Sequence, residues 1–376
     1  TRQILKGYDV LIENDLITEI SKHGTLNVKD TDVRCIDCTG KLIMPGLIDV
    51  HAHGGISLLR NVVKDTSQWM SSLTHTLDHC VDDEFWSIES QLSALRRLNF
   101  GVTTGVTILG TNPRCDEFSF AKKQTAGYAQ IGVRNFLSVG PNSGPWPAYY
   151  STYKNGIRVE KRVSYDQAIE SLEKIVKELH RSNNGLTHIL LTPRQVVTSK
   201  LSNTEGDILG RLTEHDLRNS KEIRRISKKY GTRIHTDAFR GMIKLASQDP
   251  NALLGPDVHI QHNFGLSLDE VDILAKTKTK ASVTPTFAEM FNKGVTVAIT
   301  SDGESYHSNC NMFEKMLLTQ QMIRAIYKER NYLPNEKIIE MMTIDAASCI
   351  GMEKSIGSIE CGKKADLLVI NLEGLS

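Results

Sequence analysis

The chain has 376 residues, 40% hydrophobic and 24% charged, with a formal net charge of +1. Such a length holds one large core or two domains, for instance an α/β barrel of ~250 residues with a smaller attachment. The near-neutral charge gives no basis for nucleic acid or an acidic membrane as partner, and no apolar segment approaches the ~20 residues that span a bilayer.

From the N-terminus, Val10 and Ile12 alternate with their neighbours, Asn14-Asp15 supplies a turn, and Ile17 and Ile20 resume the run, so residues 1 to 40 read as short strands. The first residues do not read as a signal peptide, which makes a cytoplasmic protein the expectation. Cys35-x-x-Cys38 is the one close pair among seven scattered cysteines. An odd count argues against a complete disulfide framework, and without a second such pair the motif reads as structural. At the far end, Ile356, Ile359, Leu367 and Val369 make another β-rich stretch that turns at Glu360 to Lys364. The two ends, 1–41 and 352–376, can pair into a small β-sandwich, because loop closure costs little more for a long loop than for a short one.

Residues 42–351 alternate strand and helix. Eight strands are expected: 42–49, 102–108, 134–139, 187–191, 233–236, 258–261, 281–283 and 295–300. The clearest helix follows Ser164, where Ile169, Leu172, Ile175, Val176 and Leu179 recur at three- and four-residue steps. Others run from Glu214 to Tyr230 and, opened by Ser267 with Glu270 at capping-box spacing, to Lys276. Eight βα units in order predict a (β/α)8 TIM barrel, whose chemistry belongs at the C-terminal ends of its strands.

Those ends carry polar residues. LIMPGLIDVHAH at 42–53 closes strand one with His51 and His53, which share a face because side chains at i and i+2 do. A bare H-x-H is more often a pair of surface histidines, so the other strand ends decide. His235 and Asp237 end strand five, His262 strand six, and Ser301-Asp302-Gly303 strand eight. His51, His53, His235 and Asp302 form a mixed nitrogen and oxygen set suited to one divalent ion, zinc first, with iron or manganese as alternatives. Such an ion lowers the pKa of a bound water toward ~7. Asp302 can touch the ion and also take the water's proton, while His262 polarises the substrate or steadies the attacking oxygen.

The chain resembles the amidohydrolase superfamily, in the branch of mononuclear metal aminohydrolases that includes cytosine, guanine and adenosine-type deaminases and triazine hydrolases. The likeness covers nearly the whole length, through VLIENDLITEI, PGLIDVHAH, FGVTTGVT at 100–107, HTDAF at 235–239 and VHIQHNFGLSLDEVDILA at 258–275. It continues through VTPTFAEM at 283–290, VAITSDGES, NMFEKM at 311–316 and IGSIECGKKADLLVIN. The resemblance implies the barrel, the flanking sandwich, His51, His53, His235 and Asp302 as ligands, and His262 as the catalytic histidine beside them. It implies attack on a C–N bond, deamination of a purine-, pterin- or pyrimidine-like heterocycle foremost. Hydrolysis of another C–N or C–X bond, or an inactive metal-binding scaffold, are the alternatives.

Departures bear on the substrate. This branch places a shuttle glutamate three residues after the strand-five histidine, where this chain has Ala238. Asp237, Glu289 and Glu304 are replacements, with Glu289 preferred as catalytic and Asp237 and Glu304 facing the substrate. No lysine ends strand four, which argues for one metal; TPR at 192–194 resembles guanine deaminases and offers Arg194 to a ring carbonyl or carboxylate. GPNSGPWP at 140–147 reads as a loop over the mouth, with Trp146 able to stack on a planar substrate. Between Met290 and Phe291 relatives carry a longer loop, so a lid is expected to be missing there. Amphipathic helices such as 312–330 leave room for a homodimer or higher oligomer.

Overall fold

A computed structural model describes residues 3–28, 32–62, 68–198, 210–303 and 309–372. The N-terminal hairpin pairs β1 (Tyr8–Glu13) with β2 (Leu16–Lys22). Next come β3 (Lys41–Pro45) and β4 (Leu47–Asp49), so the expected first strand is two strands in two different sheets. The break falls at Gly46, where a Cβ would stand 2.1 Å from Thr103 Oγ1, so only glycine lets the chain cross there.

The remaining strands are β5 (Val102–Ile108), β6 (Arg134–Val139), β7 (Ala148–Lys154), β8 (Ile157–Val163), β9 (Thr187–Leu191), β10 (Ile234–Phe239), β11 (Val258–Phe264), β12 (Lys280–Ser282), β13 (Val297–Ala298) and β14 (Leu367–Asn371). Eight of them form one parallel sheet in the order β4-β5-β6-β9-β10-β11-β12-β13. Every expected barrel strand is present, though the last pairs over Val297–Ala298 alone and β10 and β11 run on to residues 239 and 264. The sheet curls until its two edges approach: Ala52 and Asp302 form a parallel bridge, and the Asp302 N–H donates to His51 O at 3.0 Å.

One apolar cluster fills the inside, built by Ile48, Val50, Val106, Phe136, Leu190 and Ala298 with Ala346, Ala347 and Ile350 of the helix Ile344–Ile350. A larger one lies between sheet and helices. The helix Tyr165–Leu179 shows why the outer layer adheres: Ile169, Leu172, Ile175, Val176 and Leu179 are all buried, and Ser164 and Gln167 cap its start reciprocally. Truncating such a residue, Leu172→Ala for example, costs about 2–5 kcal/mol. Capping boxes also open Glu214–Tyr230, through Thr213 and Asp216, and Leu268–Thr277, through Ser267 and Glu270.

Two features depart from expectation. Residues 148–163 form a β-hairpin, turning at Asn155-Gly156 with φ of 51° and 76°, in a stretch to which the sequence reading assigned no strand. The helix Phe287–Asn292 passes unbroken through Met290 and Phe291, and Met290 N–H donates to Thr286 O, so no lid intervenes at that point. The chain ends do meet: β14 pairs antiparallel with β3, and Ile17 exchanges backbone hydrogen bonds with Gly362 and Lys363. Among the described residues these strands make two separate two-stranded ribbons. No helix among them is long and apolar enough to cross a membrane.

Candidate metal centre

The two edges of the sheet are pinned by a buried carboxylate. Asp49, at the end of β4, accepts the Ser301 N–H at 3.0 Å and the Ser301 hydroxyl at 2.6 Å. Arg97 reaches Asp49 Oδ2 at 3.2 Å through space that a side chain at Gly105 would fill, since a Cβ there would stand 1.9 Å from its guanidinium. Asp302 follows directly, in a left-handed conformation (φ 58°) that points its side chain across the mouth toward the end of β4.

His51 and His53 both turn to that carboxylate, with Nε2 atoms 3.4 and 3.3 Å from Asp302 Oδ1. His53 Nδ1 lies 2.9 Å from Gly110 O. A carbonyl only accepts, so Nδ1 carries the proton and Nε2 of the neutral ring presents a lone pair to the carboxylate. Two electron-rich atoms at that separation call for a cation or proton between them. Burial works against charge on His53, yet the hydrogen bond and charge of Asp302 raise its pKa. Burial likewise opposes the charge of Asp302, but His51 and His53 hold it well below the usual carboxylate range. His51 Nε2 is buried without a hydrogen-bond partner. The donor set therefore fits a divalent cation.

His262 and Asn263 are both left-handed (φ 70° and 50°) at the end of β11, which turns the imidazole over the mouth. His262 Nε2 stands 3.9 Å from Asp302 Oδ2, and Nδ1 stands 3.1 Å from Asp237 Oδ1, near enough for charge pairing though not angled as a hydrogen bond. Burial opposes protonation, but Asp237, with Asp302 behind it, raises the pKa. His51, His262 and Asp302 present ligand atoms within 4.8 Å of one another. His235 joins from β10, its Nε2 2.8 Å from His51 Nδ1, and burial, with His259 and His51 beside it, lowers its pKa well below the ordinary value.

The other expected residues are placed as follows. Asp237 contacts His262, a role that sequence reading did not give it. Arg194 is half-buried at the end of β9, next to the Gln195–Asp237 bridge, and makes no ion pair with a described residue. Trp146 is half-buried and packs edge-on against Tyr165, ring centroids 5.6 Å apart. Glu289 accepts the Tyr327 hydroxyl at 2.6 Å and makes no hydrogen bond or ion pair with the cluster. Glu304 lies outside the described residues.

Sequence reading missed Asp49 and Ser301, although both lie inside quoted motifs. It missed Glu89 as well, a buried carboxylate that accepts the backbone N–H groups of Gly55, Ser57 and Leu58 and so fixes the loop after H-x-H. Glutamate in a helical stretch gives no local sign of that role.

Comparison with known proteins agrees with this geometry. The model of the amidohydrolase family matches residues 42–375. The 5-methylthioadenosine/S-adenosylhomocysteine deaminase of Thermoanaerobacter pseudethanolicus is 24% identical, over 98% of this chain and 82% of its own. The 5'-deoxyadenosine deaminase of Methanobrevibacter smithii is 25% identical, over 98% of this chain and 80% of its own. Among solved structures, an adenosine deaminase from Xanthomonas campestris with bound zinc superposes with a TM-score of 0.79 at 19% identity, covering 99% of this chain and 81% of its own. A mutant atrazine chlorohydrolase from Arthrobacter aurescens TC1, complexed with zinc and atraton, gives 0.78 at 17% identity, covering 98% and 83%. At that identity the structures show a shared fold.

Proposed function

Because the chain belongs to the amidohydrolase family, we propose that it is a metal-dependent deaminase of a purine-like heterocycle, in the manner of the adenosine-type deaminases it is similar to. The carrying observation is the lone pair of His53 Nε2 facing Asp302 at 3.3 Å, with its ring proton committed to Gly110. His51, His53, His235 and Asp302 would hold one divalent ion, zinc first. When bound, that ion supplies a water activated at neutral pH.

The chain's own groups divide the remaining work. Asp302, held ionised, takes a proton at its carboxylate. His262, paired with Asp237 and facing Asp302 Oδ2 at 3.9 Å, steadies the attacking oxygen and passes a proton toward the leaving amine where Ala238 replaces the usual glutamate. Arg194, half-buried and unpaired among described residues, is the cation available to a polar group of the substrate. Residues 42–351 act as a closed barrel, and 1–41 with 352–376 as a flanking β-sandwich; the bonds of Ile17 to Gly362 and Lys363 support that division. The exposed row Leu318, Met322 and Ile326 supports a homodimer.

Ammonia release from 5'-methylthioadenosine, S-adenosylhomocysteine, 5'-deoxyadenosine and adenosine tests the reading. Release from at least one, lost in Asp302→Asn, is expected; silence on all of them with one bound metal per chain would sink purine deamination. Ala238 itself favours a second reading, hydrolysis of another C–N or C–X bond, which a triazine and amide panel would reveal.

A further inference from the structure

Behind His235, away from Asp302, a row of polar side chains runs into the sheet and takes no part in the steps above. Residues 235 and 259 are direct partners in the β10–β11 register, and His235 Nδ1 lies 2.9 Å from His259 Nδ1. His259 Nε2 lies 3.2 Å from Ser282 Oγ, the Ser282 hydroxyl meets Gln261 Oε1, and Gln261 Nε2 lies 3.3 Å from Thr300 Oγ1. Gln261 stands two residues from His259 on one strand, so both reach the same face. His259, Gln261 and Ser282 are 3%, 6% and 1% exposed, which leaves no bulk water to replace a missing partner.

With the Gln261 carbonyl turned to Ser282, the row has one consistent set of protons. An amide oxygen only accepts, so Ser282 spends its single O–H on Gln261. Ser282 Oγ must then accept from His259 Nε2–H. A neutral imidazole has one N–H, so His259 Nδ1 is bare and takes the Nδ1–H of His235. His235 is left with a bare Nε2, the atom that lies 2.8 Å from His51. Reversing the row would place the proton on that nitrogen and close it to any cation.

We propose that Gln261, Ser282 and His259 are positioning residues that fix the tautomer of His235 and so arm its Nε2 as a ligand. This rests on the reading of His235 as a metal ligand. Partners of a ligating imidazole are commonly carboxylates or backbone carbonyls that accept its other N–H. Here the acceptor is a second histidine whose own protonation is dictated by Gln261 on its own strand and Ser282 on the next.

The test titrates metal-free protein with zinc alone against a chromophoric chelator, for wild type, His259→Leu, His259→Asn and Ser282→Ala, with melting of each metal-free form as the check of folding. His259→Leu and Ser282→Ala should lose about 10- to 100-fold in zinc affinity. His259→Asn, whose side-chain oxygen falls near the place of Nδ1, should recover most of it. Affinity unchanged in both His259→Leu and Ser282→Ala would overturn the relay while leaving the metal reading intact, as would equal losses in His259→Leu and His259→Asn. A wild-type chain that binds no zinc would overturn the metal reading, and the relay with it.

Discussion

The Ser301 hydroxyl donates to Asp49 Oδ2 at 2.6 Å, joining the last residue before Asp302 to the strand that ends in His51. Asp49 is fully buried and also holds Arg97. Asp49→Ala removes one carboxylate from that buried guanidinium, and breaking a buried pair costs about 3–5 kcal/mol. Urea unfolding should register the loss; a midpoint within error of wild type would contradict the pinning role.

Asp302→Asn keeps the size of the side chain and removes its charge. Turnover should fall by at least about 10³-fold while the melting temperature of the metal-free protein stays within a few degrees. Activity within tenfold of wild type would remove Asp302 from the reaction.

Asp237 Oδ1 stands 3.1 Å from His262 Nδ1, and in the proposed reaction it orients that ring. Asp237→Ala should lower kcat by about 10- to 100-fold with little change in KM, because the acid then orients a catalytic group and does not bind substrate. A rise in KM alone would return Asp237 to the substrate-facing role.

Removing metal with a strong chelator should abolish activity, and adding back zinc should restore it at about one ion per chain. Ions bound only to the folded state also protect it: at a hundredfold excess over Kd the gain is about 2.7 kcal/mol. Elemental analysis and melting with and without zinc check both. Two ions per chain would argue for a different centre.

Away from the site, Asp78 lies 3.8 Å from Arg114, and burial raises its carboxyl from 3.8 to about 6 against the pull of that arginine. The folded state thus holds this proton more tightly than the unfolded chain. Its stabilising contribution is complete below about pH 4 and is lost as pH rises through about 6. Asp78→Asn keeps a neutral side chain at every pH, so its stability relative to wild type should grow across that window, by at most ~3 kcal/mol. Melting curves from pH 4 to 8 decide it, and a constant difference would refute the assignment.

Much of this was legible because strand ends declare themselves. Apolar runs broken by His51, His235, His262 and Asp302 put the polar residues on one rim, and helix starts at Ser164 and Ser267 are local chemistry that the structure repeats. Long-range partnerships were not legible. Nothing near Glu289 announces Tyr327, 38 residues on. Nothing in V-H-I-Q says that His259 meets Ser282, because strand register decides it. The Asn155-Gly156 hairpin was readable in principle, since Asn-Gly is a hairpin turn, but no strand was assigned on either side of it. Pro45-Gly46 marked a turn without showing that the strands on its two sides join different sheets.

The Ala52–Asp302 bridge also sets when the centre can come into being. A chain synthesised as far as residue 300 carries the four imidazoles of the cluster and Asp237, but not Ser301 and Asp302, which tie the edge of β13 to the end of β4. A chain that stops short of residue 302 lacks the carboxylate of the proposed donor set, and so competes for an ion with an incomplete one.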